Sequence, residues 1–491
     1  MTRWRWHLLF AALVGAGLRL FFVLRCPAES GDAPVYEALA ANWLQHGSYA
    51  LLLDGRIIPV DIRVPGYPAF LAILYTLTGR TGTAARLWVM LAQIVVDLGT
   101  CFLAAVLAGL LSLRADGRSW PHRVFAAALW LAVTCPFTAN YTAVPLTEVL
   151  ATFFTTAALV PVVMLAGRAQ DKGVPMVKKA WAFGNGYWFL GILGAVLAGI
   201  GTLVRPETPL LLFASWAVLG FLLFLQRRLG RWVKTVFLMA LAFAVPLLPW
   251  AARNAITLHK LQFVAPRHAE LPGELVPWGF IAWEKTWLVR FRDVYLVSWK
   301  LDEEPIAMED IPPSAFDSPE ERERVAELIA KHNESVTITQ DVDDAFAQLA
   351  RERTARHPLR THLWIPVERV FTLWFAPRTE LLEISGHIWP PAKSWDVDPL
   401  DFSISFGFFL LNFAYVGLAA IGAACLYRAS PAGIAGAKAG LALIVVFILV
   451  RTVFLTTIET PEPRYVLECF PAVLALAAQA WNRQRSSTGS G

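Results

Sequence analysis

Charge is scarce in this sequence. Only 16% of its 491 residues are Asp, Glu, Lys or Arg, where a soluble domain carries about 25%, and the mean hydropathy is +0.50. That shortage excludes an ordinary cytosolic enzyme. Cysteine is sparse too. The five at 26, 101, 135, 425 and 469 form no close pair and no metal-ligand spacing. There is no G-x-G-x-x-G opening a helix after a strand, no Walker A, no H-E-x-x-H and no G-x-S-x-G, which excludes a cytosolic site run on ATP or a sugar nucleotide. No internal repeat marks the inverted halves of a secondary transporter. The net charge of +5 gathers on no single extramembrane face, so nucleic acid is not an expected partner.

What is present is apolar length. A span needs about 20 mostly apolar residues, and ten stretches qualify as candidates: 8–25, 87–111, 123–140, 145–166, 187–204, 208–226, 233–250, 403–427, 439–457 and 465–481. Pro136 interrupts the third. The expected fold is an all-α polytopic membrane protein of about ten transmembrane helices. Short basic connections set its orientation. Arg3 and Arg5, Arg114, Arg118 and Arg123, Arg168 with Lys172, Lys178 and Lys179, Arg227 to Lys234, Arg428 and Lys438, and Arg483 and Arg485 all fall on one side if ten spans are correct. The positive-inside rule makes that side cytoplasmic. Two large regions, 26–86 and 251–402, then face outward. The division is an N-terminal membrane module 1–250 carrying the first outer loop, a mostly helical outer region 251–402, and C-terminal membrane helices 403–491. Arg25 at the end of the first apolar run suits no small-residue cleavage site, so that run is read as an uncleaved span.

Polar residues inside the apolar runs mark structure or function. Arg19 and Asp97 lie at similar depths in the first two spans, either as an interhelical salt bridge or as cavity lining. Arg451 sits within the ninth. In the first outer loop Asp32 precedes Tyr36 by one helical turn, so both share a face. Asp32 is either a functional acid or an N-cap. Residues 69–78 form a second interfacial helix after the rigid corner at Pro65 and Pro68. Glu148 begins the fourth span, either as a functional acid or as an interfacial charge that the helix dipole favours.

The outer region 255–402 holds most of the chain's acids and is expected to be solvated. Ser318-Pro319-Glu320-Glu321 is a helix start, and 342–356 is a second helix with Phe346 and Leu349 inward. The aromatic stretch 364–375 is too short to span and belongs at the interface. The acid runs 302–304 and 341–344 lack a Gly-bearing calcium loop and are read as solvated faces.

Acids and arginines gather where spans meet the outer side: Asp32, Arg63, Glu148, Arg205, Arg253 and Arg464. Arginine's planar fork pairs bidentately with phosphate, and a nearby carboxylate can take a proton from an acceptor hydroxyl or amine. The set suits an anionic lipid head group. Four strings carry a family likeness: Arg63-Val64-Pro65-Gly66-Tyr67-Pro68 after the acid and Tyr36, Leu203-Val204-Arg205-Pro206-Glu207, Pro249-Trp250-Ala251-Ala252-Arg253-Asn254, and Glu462-Pro463-Arg464-Tyr465. Together they resemble the GT-C integral-membrane glycosyltransferases, close to family 39 and to the aminoarabinose and protein-mannose transferases.

The resemblance implies a GT-C arrangement of helices in a bacterial inner membrane, with a site facing the periplasm. It implies an enzyme of the cell envelope that transfers a sugar from a polyprenyl-phosphate donor to a lipid, glycan or protein acceptor. Asp32 and Glu148 are the implied catalytic acids, and Arg63, Arg205, Arg253 and Arg464 the donor-phosphate ligands. Tyr36, Tyr67, Asn254 and Tyr465 are further cavity candidates. A divalent cation is a possible cofactor, with Asp32 and Glu148 as its ligands if one is bound. The chain departs from the protein mannosyltransferases in having Ala33, not Glu, after Asp32. The competing class is a lipid or solute transporter or flippase, for which Arg19, Asp97 and Arg451 would line a pathway.

The orientation has a direct test. Ser48→Cys and Ser335→Cys are expected to react with a membrane-impermeant thiol reagent in intact cells, and Ser119→Cys is not. The reverse pattern would contradict the sidedness.

Overall fold

The computed structural model describes residues 2–28, 30–112, 121–170, 186–268, 271, 274–429 and 437–481. Several basic residues of the short connections (Arg114, Arg118, Lys172, Lys178, Lys179, Arg483 and Arg485) lie outside the described residues. The fold is overwhelmingly helical and divides into two compact units. The larger contains 1–266, 377–450 and 467–491, and the smaller 267–376 and 451–466.

Among the described residues six helices are long and apolar enough to cross a membrane: Trp4–Arg25, Gly82–Leu111, Glu148–Ala169, Leu229–Thr257, Pro399–Arg428 and Ala437–Thr457. His122–Val133 and Pro136–Ala143, bent by 51° at Pro136, pass the same test as a pair and form either a broken span or a re-entrant loop. The chain is a multi-pass membrane protein, and the count of about ten spans is not confirmed among the described residues. Tyr187–Thr202 and Leu210–Leu225 have the expected composition and fall short in length. The tenth stretch is not one helix. Two 3₁₀ segments, Pro463–Cys469 and Ala478–Trp481, bracket the eight-residue helix Phe470–Ala477.

The charges inside the spans are matched. Arg19 is fully buried and meets Asp97 at 2.5 Å. Its Nη1 donates to the Gly15 and Val133 carbonyls at 2.9 Å, and the Nη2 that meets Asp97 also reaches the Cys101 sulfur at 3.1 Å. This is the interhelical salt bridge of the two earlier alternatives.

In the loop 26–86, Asp32–His46 is a helix ended by Gly47 in the left-handed region. It is followed by a hairpin, Ala50–Leu53 against Arg56–Pro59. The two-residue turn is Asp54-Gly55, with φ of 49° and 73°, the geometry that Asp-Gly sequences favour. Gly66–Thr78 then forms the interfacial helix.

The smaller unit has its own core. Phe280, Trp283 and Trp287 pack with Phe346 and Leu349, so the 342–356 pattern is realised in Gln340–Arg356. The Ser318 hydroxyl accepts the Glu321 N–H at 3.2 Å and starts Pro319–Ser335. Asp343 takes the backbone N–H groups of Gly279 and Phe280 at 3.0 and 2.9 Å, and so caps Trp278–Glu284 rather than facing solvent. Ile365–Phe375 is an 11-residue helix with Phe371 exposed and Leu373 and Trp374 buried.

Glu284 is buried in this unit, with the Ser298 hydroxyl donating to it at 2.5 Å. Burial pushes its carboxyl from 4.5 up to about 8, against the Ser298 bond and the Arg369 cation. The folded chain therefore keeps a proton that the unfolded chain has released. Stability falls as pH rises from about 4.5 to about 8 and levels off above that. Glu284→Gln should flatten this part of a thermal-unfolding series. An unchanged slope would show that Glu284 is ionised in the fold.

Candidate active site

Two loops far apart in sequence meet at one close backbone contact. The Gly66 N–H donates to the Leu203 carbonyl at 2.6 Å. A Cβ at Gly66 would stand 2.4 Å from that oxygen, so only glycine allows the approach. Arg63 lies three residues before this contact and Arg205 two residues after it. The corner thus brings together two strings that each contribute one arginine.

Each arginine meets an acid. Arg63 pairs with Asp32 at 2.8 Å, with side chains 27% and 30% exposed. Arg205 pairs with Glu148 at 3.3 Å, with side chains 11% and 3% exposed. The first pair is open to ligand, and the second is the inner end of the site. The helix at 32–46 begins at Asp32 itself, with Gly31 as N-cap and no side-chain cap bond. The Asp32 carboxylate is turned to Arg63 instead.

Tyr36 joins the pairs. Arg63 lies 5.9 Å from its ring centre, and the charges of Arg63, Asp32, Glu148 and Arg205 all act on its hydroxyl. Burial chiefly pushes that hydroxyl up to about 12, so it stays protonated as a donor. Burial works against the Arg63 cation, yet Tyr36 and Asp32 more than restore it, and the guanidinium is held above its ordinary value. Tyr67 stacks edge-on against Tyr36 at 5.2 Å and donates to Gln93 Oε1 at 2.8 Å. Gln93 Nε2 donates to the Val144 carbonyl at 2.8 Å and so fixes the segment that leads into Glu148.

Arg253 and Asn254 stand at the hairpin base. Arg253 donates to the carbonyls of Val60 at 2.9 Å and Tyr49 at 2.5 Å, and its guanidinium lies over the rings of Trp250 and Tyr49. The Tyr49 hydroxyl donates to the Arg63 carbonyl at 2.9 Å. Asn254 donates to the Gln262 carbonyl at 3.1 Å. Arg464 and Tyr465 belong to the smaller unit, where both hold Glu462, at 2.6 and 2.5 Å.

No protein-family model matches the chain, and no curated protein matches it in sequence. Solved structures match it in fold. AglB, the oligosaccharyltransferase from Archaeoglobus fulgidus in complex with an inhibitory peptide and a dolichol-phosphate, has a TM-score of 0.50 at 12% identity over 97% of this chain and 50% of that chain. An Archaeoglobus fulgidus oligosaccharyltransferase tethered to an acceptor peptide containing the NVT sequon has a TM-score of 0.50 at 13% identity over 97% and 49%. This chain has a GT-C fold. It spans about half the length of those oligosaccharyltransferases. ArnT from Cupriavidus metallidurans aligns over 98% of this chain and 78% of its own at 15% identity, with a TM-score of 0.39 that adds nothing to the fold argument.

Asp32 and Glu148 each face a guanidinium, and among the described residues no group of three His, Cys, Asp or Glu side chains could hold a metal ion. The structure instead adds an acid that the motifs do not contain. Glu468 is 3% exposed, lies 4.0 Å from Arg205 and accepts the Thr155 hydroxyl at 2.6 Å. Its one sequence signal is an acid within the apolar run Val466-Leu467-Glu468-Cys469-Phe470.

Gly66→Ala tests how the two strings are held. It is expected to cost about 1–3 kcal/mol of stability through overpacking and to lower activity, while alanine at Gly417, where a Cβ meets nothing within 4 Å, leaves both near parental. Parental stability and activity in Gly66→Ala would contradict the close contact.

Proposed function

We propose that the chain is a glycosyltransferase of the membrane's extracytoplasmic side, taking its sugar from a polyprenyl-phosphate carrier. The observation that carries this reading is the pair of arginine–carboxylate contacts gathered around Tyr36 on a GT-C fold. The AglB structure contains a dolichol-phosphate, and a lipid-borne phosphate has the chemistry that two arginines at the membrane boundary would recognise. A polyprenyl tail keeps such a donor in the bilayer while its head reaches the outer loops, where nucleotide sugars are not available.

In this mechanism Asp32 is the base and Arg63 orients it. The acceptor's hydroxyl or amine attacks the anomeric carbon, and its proton passes to the Asp32 carboxylate. The bond from the anomeric carbon to the phosphate oxygen breaks, and the electron pair leaves on polyprenyl phosphate. Arg63 and Arg205 bind the charge that develops there. Glu148 and Glu468 hold Arg205 in place, and the Tyr36 hydroxyl is a neutral donor beside the leaving oxygen. Arg253 supports this set through the hairpin and Tyr49, with Asn254 beside it, and Arg464 with Tyr465 forms a second ligand group. The acceptor is a lipid, a glycan or a protein, and the membrane is a bacterial inner membrane with the site toward the periplasm. A transporter would use its intramembrane charges along a pathway. The closed Arg19–Asp97 network favours the transferase.

Asp32→Asn separates the base from the fold. Asparagine keeps the size and can still accept a hydrogen bond from Arg63, but it cannot take the proton. Turnover is expected to fall roughly 10²–10⁴-fold with donor affinity largely retained. Arg63→Ala and Arg205→Ala should instead weaken donor binding by about one to two decades. Near-parental turnover in a folded Asp32→Asn protein would remove Asp32 from the mechanism.

A further inference from the structure

The helix Ala437–Thr457 crosses the membrane and ends among cations of the smaller unit. Arg369 is buried and donates to the Thr456 and Ile458 carbonyls at 3.2 and 2.9 Å, and to the Leu288 carbonyl at 2.9 Å. Lys285 donates to the Thr457 carbonyl at 3.0 Å. Three consecutive carbonyls at the end of a span are thus capped by positive side chains, as the helix dipole favours. Thr457 ends this apolar helix, so the groups that touch it lie at a membrane boundary.

The capping leaves charge over. Arg267 makes no hydrogen bond among the described residues and lies 5.4 Å from the centre of the Trp278 ring, which is itself 45% exposed. His268 meets the same ring edge-on at 5.9 Å and bonds the Glu459 carboxylate at 3.0 Å. Arg267 and Arg369 both act on Lys285 and, with its burial, hold its ammonium below the ordinary value, against the single pull of Glu459. Glu284, whose carboxyl burial pushes up to about 8, is not among the groups that raise the Lys285 ammonium. Two arginines therefore add their charge to Lys285, and the one carboxylate that acts on it, Glu459, already has His268 as partner. Like charges gathered in this way are costly unless an anion completes them. Arginine and lysine beside a half-exposed tryptophan, at the level where Trp side chains meet lipid head groups, define the kind of anion.

We propose that Arg267, Lys285 and Trp278 form a binding site for the phosphate-bearing head group of an anionic membrane lipid. It lies wholly within the smaller unit, and it does not depend on the chain being a glycosyltransferase. The Arg267 guanidinium and the free N–H groups of Lys285 take the phosphate, and Trp278 lies against the glycerol or sugar portion of the head group. Glu459 rejects a second anion and keeps His268 turned away from the phosphate.

The test is native mass spectrometry of the full chain in detergent, titrated with phosphatidylglycerol and, separately, with phosphatidylcholine. The parent is expected to retain phosphatidylglycerol in preference to phosphatidylcholine, and the Arg267→Gln/Lys285→Gln variant to lose about tenfold in that retention. Millimolar inorganic phosphate is expected not to displace the lipid. Arg267→Gln alone leaves the Lys285 cap intact and serves as the folded control, with a several-fold loss. Equal retention by the parent and both variants, equal retention of the two lipids by the parent, or displacement by inorganic phosphate would each overturn the proposal.

Discussion

The contact between Gly66 and the Leu203 carbonyl constrains everything around it. A 2.6 Å backbone bond with no room for a Cβ locks the loop that carries Arg63 onto the turn between two helices distant in sequence. Arg63 and Arg205 inherit their placement from that lock. Gln93 does the same for the acids' side of the site, since its amide joins Tyr67 to the segment ahead of Glu148. The charged groups thus sit on a frame of backbone and aromatic contacts. Groups held in this way need little reorganisation when charge develops on a substrate.

The two ion pairs are unequal, and the inequality gives the site a direction. A buried pair recovers its desolvation cost only with good geometry and further hydrogen bonds. Arg205 has that support in Glu148, Glu207 and Glu468. Asp32 and Arg63 are each about one-third exposed, and water screens them more. The outer pair can therefore exchange partners with an incoming ligand at lower cost than the inner one. The Arg253 guanidinium is engaged with two carbonyls, which ties the hairpin to the same frame.

The residues that the sequence makes visible are those whose chemistry is costly at a membrane boundary. Asp32, Arg63, Glu148 and Arg205 stand out as charges at the ends of apolar runs, and the structure places them together. Arg19 and Asp97 are equally visible, and they pair. Other features have weaker signals. Glu468 is concealed because the run around it reads as a tenth span, and its neighbours fold instead into 3₁₀ turns around an eight-residue helix. Hydropathy measures apolar content and not helix length, so 187–202 and 210–225 look like the other spans. The Asp54-Gly55 turn carries a standard hairpin signal, but the surrounding strands are only four residues long. A charge's acceptors are set by tertiary contacts, so the sequence does not distinguish the carbonyl-bound Arg253 from the carboxylate-bound Arg63.

The central claim is that these paired charges activate a lipid-borne phosphate as a leaving group. Its most direct measurement is the release of free polyprenyl phosphate by the purified chain from a panel of defined polyprenyl-phosphate sugars. Release that requires an acceptor and saturates with one donor is the predicted result. No release from any donor, by a folded protein that binds them, would contradict it.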